Sequence, residues 1–451
     1  MPHRVIRPRL RQGMGFFVGL LSLGCASAVA TQAQTQPPPA ASVEAMLAAP
    51  AQEIFALRAA LPRVDTPELA LLTRARLAAG RLDDAEAMRL VEQFLAGNAS
   101  SPRQRAIAWE IAADAAFADG DYARASKAAR QLQAALAASA ADGTEQAGAA
   151  QTAAMATQLA ALPAQRIVAY QPQAEPVRRD KVGLPRVSVN IDDHAQEAVL
   201  DTGANLSVVS LSTARRLGLH LQRVDASVGS SSRDAVAVRL GLADTLRFAG
   251  LTLHDVPFLV LDDAQLAMPV PGGYRIDAIL GFPVLRALQR FRITAAGRLL
   301  PSLSAASPAD AGKGNLLMVG NDMYAQANVG GVPVVMHLDS GAAGSALSAS
   351  FARRHVGLLK GLSSRRARVA GAGGAVERRT ATWPDVRVSV GERTTTLAGL
   401  DVELADGAGI APNVLGEDVL GAFDWWSVDF GRMRLELGPP KRKQALAKVV
   451  P

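Results

Sequence analysis

From about Val43 to Leu162, apolar residues, chiefly Ala and Leu, recur at helical spacing with few β-branched side chains, which predicts a helical region over 43–165. Within it, Leu77-Ala78-Ala79-Gly80-Arg81-Leu82-Asp83-Asp84-Ala85 is echoed forty residues later by Phe117-Ala118-Asp119-Gly120-Asp121-Tyr122-Ala123-Arg124-Ala125. A Gly between two helical stretches suits a tight helix–helix turn, so helical hairpins are expected. The texture then changes. Residues 184–300 and 315–440 are rich in Val, Leu, Gly and Thr in short runs broken by turn residues, and both read as all-β. Arg186 to Ile191 alternates, with Val187, Val189 and Ile191 on one face, as a half-buried strand should. Polar or Pro-rich stretches at 31–42, 166–183 and 301–314 read as linkers, and 441–451 as a basic tail.

The first thirty residues stand apart. A basic start is followed by an apolar run from Gly15 to Leu23 and by small residues at Ala26-Ser27-Ala28 and Ala28-Val29-Ala30. That is the layout of a secretory signal peptide over 1–30, so a periplasmic or secreted bacterial protein is expected. The apolar run is shorter than the roughly 18–20 residues needed to cross a bilayer, so no stable membrane insertion is expected after cleavage. Cys25 is the sole cysteine and lies inside this segment. Lipid anchoring through it is disfavoured, because Ser22 stands where a lipid-attachment motif usually carries Leu. The mature chain would then hold neither a disulfide nor a thiolate nucleophile.

Composition narrows the class further. With 49% hydrophobic and 20% charged residues, the 451-residue chain has ample material for a core and cannot be mainly disordered. The net charge of +7 falls to +3 without Arg4, Arg7, Arg9 and Arg11 of the leader, which gives no reason to invoke nucleic acid.

The chemistry lies in a duplication across the two β regions. Val199-Leu200-Asp201-Thr202-Gly203-Ala204 in the first is matched by His337-Leu338-Asp339-Ser340-Gly341-Ala342 in the second. Ile279-Leu280-Gly281 follows the first aspartate, and Val414-Leu415-Gly416 follows the second at a nearly equal distance. Both copies end in a strand pair turning at Gly, Ile293 to Leu299 around Gly297 and Val428 to Leu435 around Gly431. One Asp-Thr-Gly triplet arises by chance, and a pair of turn carboxylates capping their own backbone would account for each copy alone. Neither explanation accounts for two copies with matched flanks.

On these residues the chain resembles the aspartic proteases, and the Asp-Thr-Gly-Ala-Asn form of the first copy is most similar to the retropepsin-like branch. The resemblance covers roughly 184–440. It implies a mainly β, two-lobed acid-protease fold with a pseudo-two-fold axis, preceded by an α-helical hairpin domain. Because both lobes lie in one chain, as in the pepsin arrangement, dimerisation is not required for the site. Asp201 and Asp339 would face each other across one water. Two carboxylates that close cannot both ionise cheaply, so the pair shares a proton; pepsin is the standard case. Thr202 and Ser340 are implied to hydrogen-bond across the lobes, Gly203 and Gly341 to allow a tight turn and bring N–H groups to the carboxylates, and Leu280-Gly281 and Leu415-Gly416 to pack beneath the aspartate loops. The substrate is expected to be an extended peptide or protein, cleaved without a cofactor or a metal. A catalytically inactive peptide-binding protein of the envelope is the alternative. The helical region weakly resembles tetratricopeptide-type hairpins, although its spacing is forty residues and a plain helical bundle also fits. It could bind a protein partner or act as a removable pro-segment, with Arg178-Arg179 near its end shielding the carboxylates.

Each lobe should also carry a flap hairpin, for which Gly229, Ser230 and Ser231 in the first and Gly371, Gly373 and Gly374 in the second are the Gly/Ser-rich turn candidates. Neither turn holds a tyrosine; the nearby ones are Tyr274 and Tyr324. Ala343 stands where the first copy has Asn205, so the two sides of the cleft should bind substrate differently. His337, two residues before Asp339 on the same strand face, reads first as a packing residue. Other chemistries lack support: there is no Gly-x-Ser-x-Gly outside the leader and no His-Glu-x-x-His, and the six histidines are scattered. Gly371 to Val376 is similar to a dinucleotide loop but has Val376 where the third glycine belongs.

Overall fold

The computed structural model describes residues 40–97, 100–139, 141, 143–228, 236–268, 272–305, 313–371, 374–404 and 411–441. Among these, seven helices come first: α1 (Ala40–Ala48), α2 (Pro50–Ala60), α3 (Pro67–Gly80), α4 (Asp84–Leu95), α5 (Pro102–Asp119), α6 (Tyr122–Ala138) and α7 (Gly143–Leu159). The sequence dictates their ends. Ser101 and Gln104 cap the start of α5 reciprocally, and Pro102 sits in its first turn. Gly120 ends α5 in the left-handed region (φ 80°), and Asp121 accepts the Arg124 N–H to open α6. The earlier echo of this turn is built differently: Leu82 takes the positive φ (58°) and Gly80 is the last helical residue. A Cβ on Gly80 would lie 3.2 Å from the Met318 carbonyl oxygen, so glycine there permits close approach to the second lobe.

Each β region closes on itself. In the first lobe the strand order is Arg166–Tyr170, Leu251–Leu261, Ser207–Ser210, Ala278–Leu280, His194–Leu200, Pro185–Ile191, Val236–Phe248, His220–Val228, with Leu251–Leu261 pairing again with Val236–Phe248. In the second the order is Leu316–Val319, Asp322–Val329, Val332–Leu338, Val414–Leu415, Ala346–Leu347, Arg393–Glu403, Gly374–Val390, Ser364–Gly371, closed by pairing of Asp322–Val329 with Gly374–Val390. The alternation expected over 186–191 holds, since Val187, Val189 and Ile191 all enter the lobe core. The terminal hairpins of the lobes meet in a shared five-stranded sheet, in which Arg290–Thr294 runs antiparallel to Trp425–Asp429 with Arg292 opposite Ser427. Phe291, Trp426 and Phe430 pack beneath it, edge-on or tilted. This is the two-lobed β fold expected from the duplication.

The segment 166–183, expected as a linker, carries three short strands. Arg166–Tyr170 pairs with Leu251–Leu261, Glu175–Pro176 with Arg298–Ser302, and Arg178–Arg179 with Pro185–Ile191. Arg178 is ion-paired to Glu197 and Arg179 to Glu417 (2.6 Å). Both arginines are thus engaged by carboxylates other than the two aspartates. These residues became strands because lobe edges needed partners for their backbone groups, a tertiary demand that composition does not display.

Candidate active site

Each aspartate is carried to the centre by the same local device. The strand His194–Leu200 runs parallel to Ala278–Leu280, with Val199 beside Ile279 and Leu200 beside Leu280. In the second lobe His337 and Leu338 lie beside Val414 and Leu415. The pairing continues one residue further, as the N–H groups of Asp201 and Asp339 donate to the Leu280 and Leu415 carbonyls, both at 3.1 Å. After each leucine the glycine lies under the aspartate loop: a Cβ on Gly281 would meet the Ala204 carbonyl at 2.7 Å, and one on Gly416 the Ala342 carbonyl at 2.9 Å. Leu280-Gly281 and Leu415-Gly416 thus sit where the resemblance implied.

The two loops interlock through a reciprocal set of four hydrogen bonds, all buried. Thr202 Oγ1 donates to the Leu338 carbonyl (2.8 Å) and accepts the Ser340 N–H (2.9 Å). Ser340 Oγ donates to the Leu200 carbonyl (2.8 Å) and accepts the Thr202 N–H (3.0 Å). A hydroxyl can do both at once, and that is why Thr and Ser stand here rather than Val and Ala. The grip sets two rigid loops face to face.

Between them the carboxyls of Asp201 and Asp339 are hydrogen-bonded to each other. The glycines bring N–H groups to the carboxylates as expected, and they also make this approach possible. Neither Gly203 nor Gly341 has a positive φ. Instead, a Cβ on Gly203 would lie 2.7 Å from Asp339 Cγ, and one on Gly341 would collide with the Asp201 carboxyl. Each glycine makes room for the opposite aspartate, and Gly203 also donates its N–H to Asp201 Oδ1 (2.8 Å).

Burial pushes both carboxyls above the usual carboxylate range. At Asp201 the Asp339 charge adds to the rise. At Asp339 the hydrogen bond with Asp201 and the N–H groups of Gly341 and Ala342 offset part of it. With both carboxyls raised and each acting on the other, the pair holds one shared proton.

Sequence reasoning missed the next layer out. Ser207 Oγ accepts the Gly281 N–H (3.1 Å), and Ser345 Oγ accepts the Gly416 N–H (2.9 Å). Both serines lie six residues after their aspartate, so the repeated offset was the available signal. Asn205 donates its carboxamide N–H to the Asn321 carbonyl (2.9 Å) and to Asp322 Oδ1 (2.7 Å) of the other lobe. His337 is buried, tilted against Tyr324, with Nε2 3.7 Å from Asp322 Oδ1. Tyr274 serves elsewhere: its hydroxyl accepts from Arg186 and donates to Asp180, both at 2.7 Å.

Of the flap candidates, Gly229, Ser230, Ser231 and Gly373 lie outside the described residues. Gly371 and Gly374 face each other at the end of the hairpin formed by Ser364–Gly371 and Gly374–Val390. In the first lobe His220–Val228 and Val236–Phe248 form the matching hairpin.

Residues 187–284 and 325–419 match the family described as aspartyl protease. Each stretch takes in one aspartate and its Leu-Gly, so the two lobes are similar to that family over both copies of the motif. Among solved structures, the chain is similar to a retropepsin-like aspartic protease from Rickettsia conorii, at 15% identity and a TM-score of 0.21, over 31% of this chain and 94% of that one. No curated protein matches.

Proposed function

We propose that this chain is an exported aspartic endopeptidase that hydrolyses peptide bonds with a water activated between Asp201 and Asp339. The observation that carries the reading is the pair of mutually hydrogen-bonded carboxyls held by a reciprocal inter-lobe grip, each admitted by the glycine of the other loop. The ionised member of the pair removes a proton from the water as the water oxygen attacks the peptide carbonyl carbon. The proton of the other member passes to the carbonyl oxygen, giving a neutral tetrahedral diol. As the C–N bond breaks, the newly protonated member gives its proton to the leaving nitrogen while the other takes one from a diol hydroxyl, so the pair again holds one shared proton. The products are a carboxylic acid and an amine, and no group beyond the dyad and water enters the balance.

Because the dyad lies between two closed β lobes, we take the substrate to be an extended chain and the bond cut to be internal to it. Incubation with a mixed peptide library from about pH 3 to 7 tests the assignment. Turnover that Asp201→Asn and Asp339→Asn each abolish supports it, and turnover that survives either substitution contradicts it.

A further inference from the structure

The duplicated lobes present the same face beside their aspartates, and the helical region packs onto both: α2 and α3 reach Leu317 and Val335 at one end of the second-lobe face, whereas the first-lobe face is covered throughout the row beside its aspartate. In the first lobe Arg186, Val199, Ile279, Val208 and Leu259 lie side by side across five strands. Their neighbours along the strands, Ala198, Leu200, Ala278, Leu280 and Val209, enter the lobe core. The row therefore occupies the opposite face, and Val199 lies on it two residues before Asp201. By strand alternation Asp201 continues this face, and on the protease reading an extended peptide would lie along it. Phe117 of α5, Tyr122 of α6, and Met155 and Leu159 of α7 pack onto it, leaving Val199 only 1% exposed.

The matching row in the second lobe is Tyr324, His337, Val414, Ala346 and Asp401. There Val414, Ala346 and Asp401 keep partial access to solvent. The helical region is also fastened to both lobes near the site. Arg286 pairs with Asp84 (2.8 Å), and Asp114 accepts the Gly320 N–H (3.2 Å), two residues before Asp322.

We propose that the helical region is a built-in cover: α5–α7 occupy the first-lobe half of the peptide-binding face, and an extended substrate reaches the dyad only when they are displaced. The proposal rests on the protease reading for its substrate, and its test separates the two. The full chain is compared with Phe117→Asp and Leu159→Asp, which place a charge in the apolar seam, using fluorescein-labelled casein as substrate. Arg286→Ala, which removes the Asp84 pair and leaves the seam apolar, serves if the charged variants do not fold. Casein cleavage should rise about tenfold or more, the reciprocal of the fraction of chains already open. Adding Asp201→Asn should abolish that gain.

Equal cleavage by parent and variants overturns the cover and leaves the protease intact. If none of the chains cleaves, the protease reading fails, and the cover is then judged by casein anisotropy. Tighter binding to the variants than to the parent supports it. Equal binding, including none to any of them, overturns it.

Discussion

The hydroxyls of Thr202 and Ser340 each close two bonds between the lobes, so removing one loosens the dyad without touching a carboxyl. Thr202→Val keeps the shape and leaves the buried Ser340 N–H unpaired. A loss of about 1–3 kcal/mol is expected in urea unfolding, together with a larger proportional fall in kcat than in KM. The dyad makes a separate prediction at the same scale. Both aspartates have raised folded-state values, so the folded chain keeps a proton that the unfolded chain releases near pH ~4. Stability contributed by that proton is present at low pH and is lost as pH rises through the folded-state values. Asp201→Asn removes the cost of ionisation. Its melting temperature should therefore gain on that of the parent as pH rises from about 4 to 8, and a gap that stays constant or narrows would contradict the shifts. At this scale much was legible: the duplicated triplets named both aspartates and both hydroxyls. The N–H role of the glycines was legible too, but their second role was not, because a triplet cannot show that the neighbour needing room is the other lobe's carboxylate.

Among the elements, the short strands Ala278–Leu280 and Val414–Leu415 have the most influence on the site, since each supports its aspartate loop from below. Leu415 is fully buried in the lobe core. Leu415→Ala should destabilise the chain by about 2–5 kcal/mol in denaturant and lower kcat, because the cavity opens beside the carbonyl that holds the Asp339 N–H. A variant as stable as the parent would contradict this support. The sequence made these elements readable through matched spacing, and the terminal hairpins through their Gly turns. It hid the strands within 166–183, where Pro172, Pro176 and a run of charge mimic a linker. Their pairing is dictated by open backbone groups on lobe edges, which become visible only when both partners are in place.

On the scale of the whole molecule, the helical region and the first lobe share one apolar cluster, and burying a side chain such as Phe117 or Leu159 contributes about 1.5–3 kcal/mol each. A seam of that size does not open freely. Local pattern predicted the helices well, but it gave no hint of where they dock, because Phe117 and Met155 look like ordinary core positions of a bundle. The two rows differ in polarity, with His337 and Asp401 standing where the first lobe has Val199 and Leu259, and in the second only Val414, Ala346 and Asp401 keep partial access to solvent.

The central claim is that two carboxyls sharing one proton perform the hydrolysis, and the pH–rate profile of kcat/KM for a fluorogenic peptide tests it most directly. A bell is expected, with the acid limb set by protonation of the ionised member of the pair and the alkaline limb by loss of the shared proton, and with no turnover in Asp201→Asn or Asp339→Asn at any pH. A rate that climbs without turning over through the alkaline range, or that persists in either variant, would contradict it.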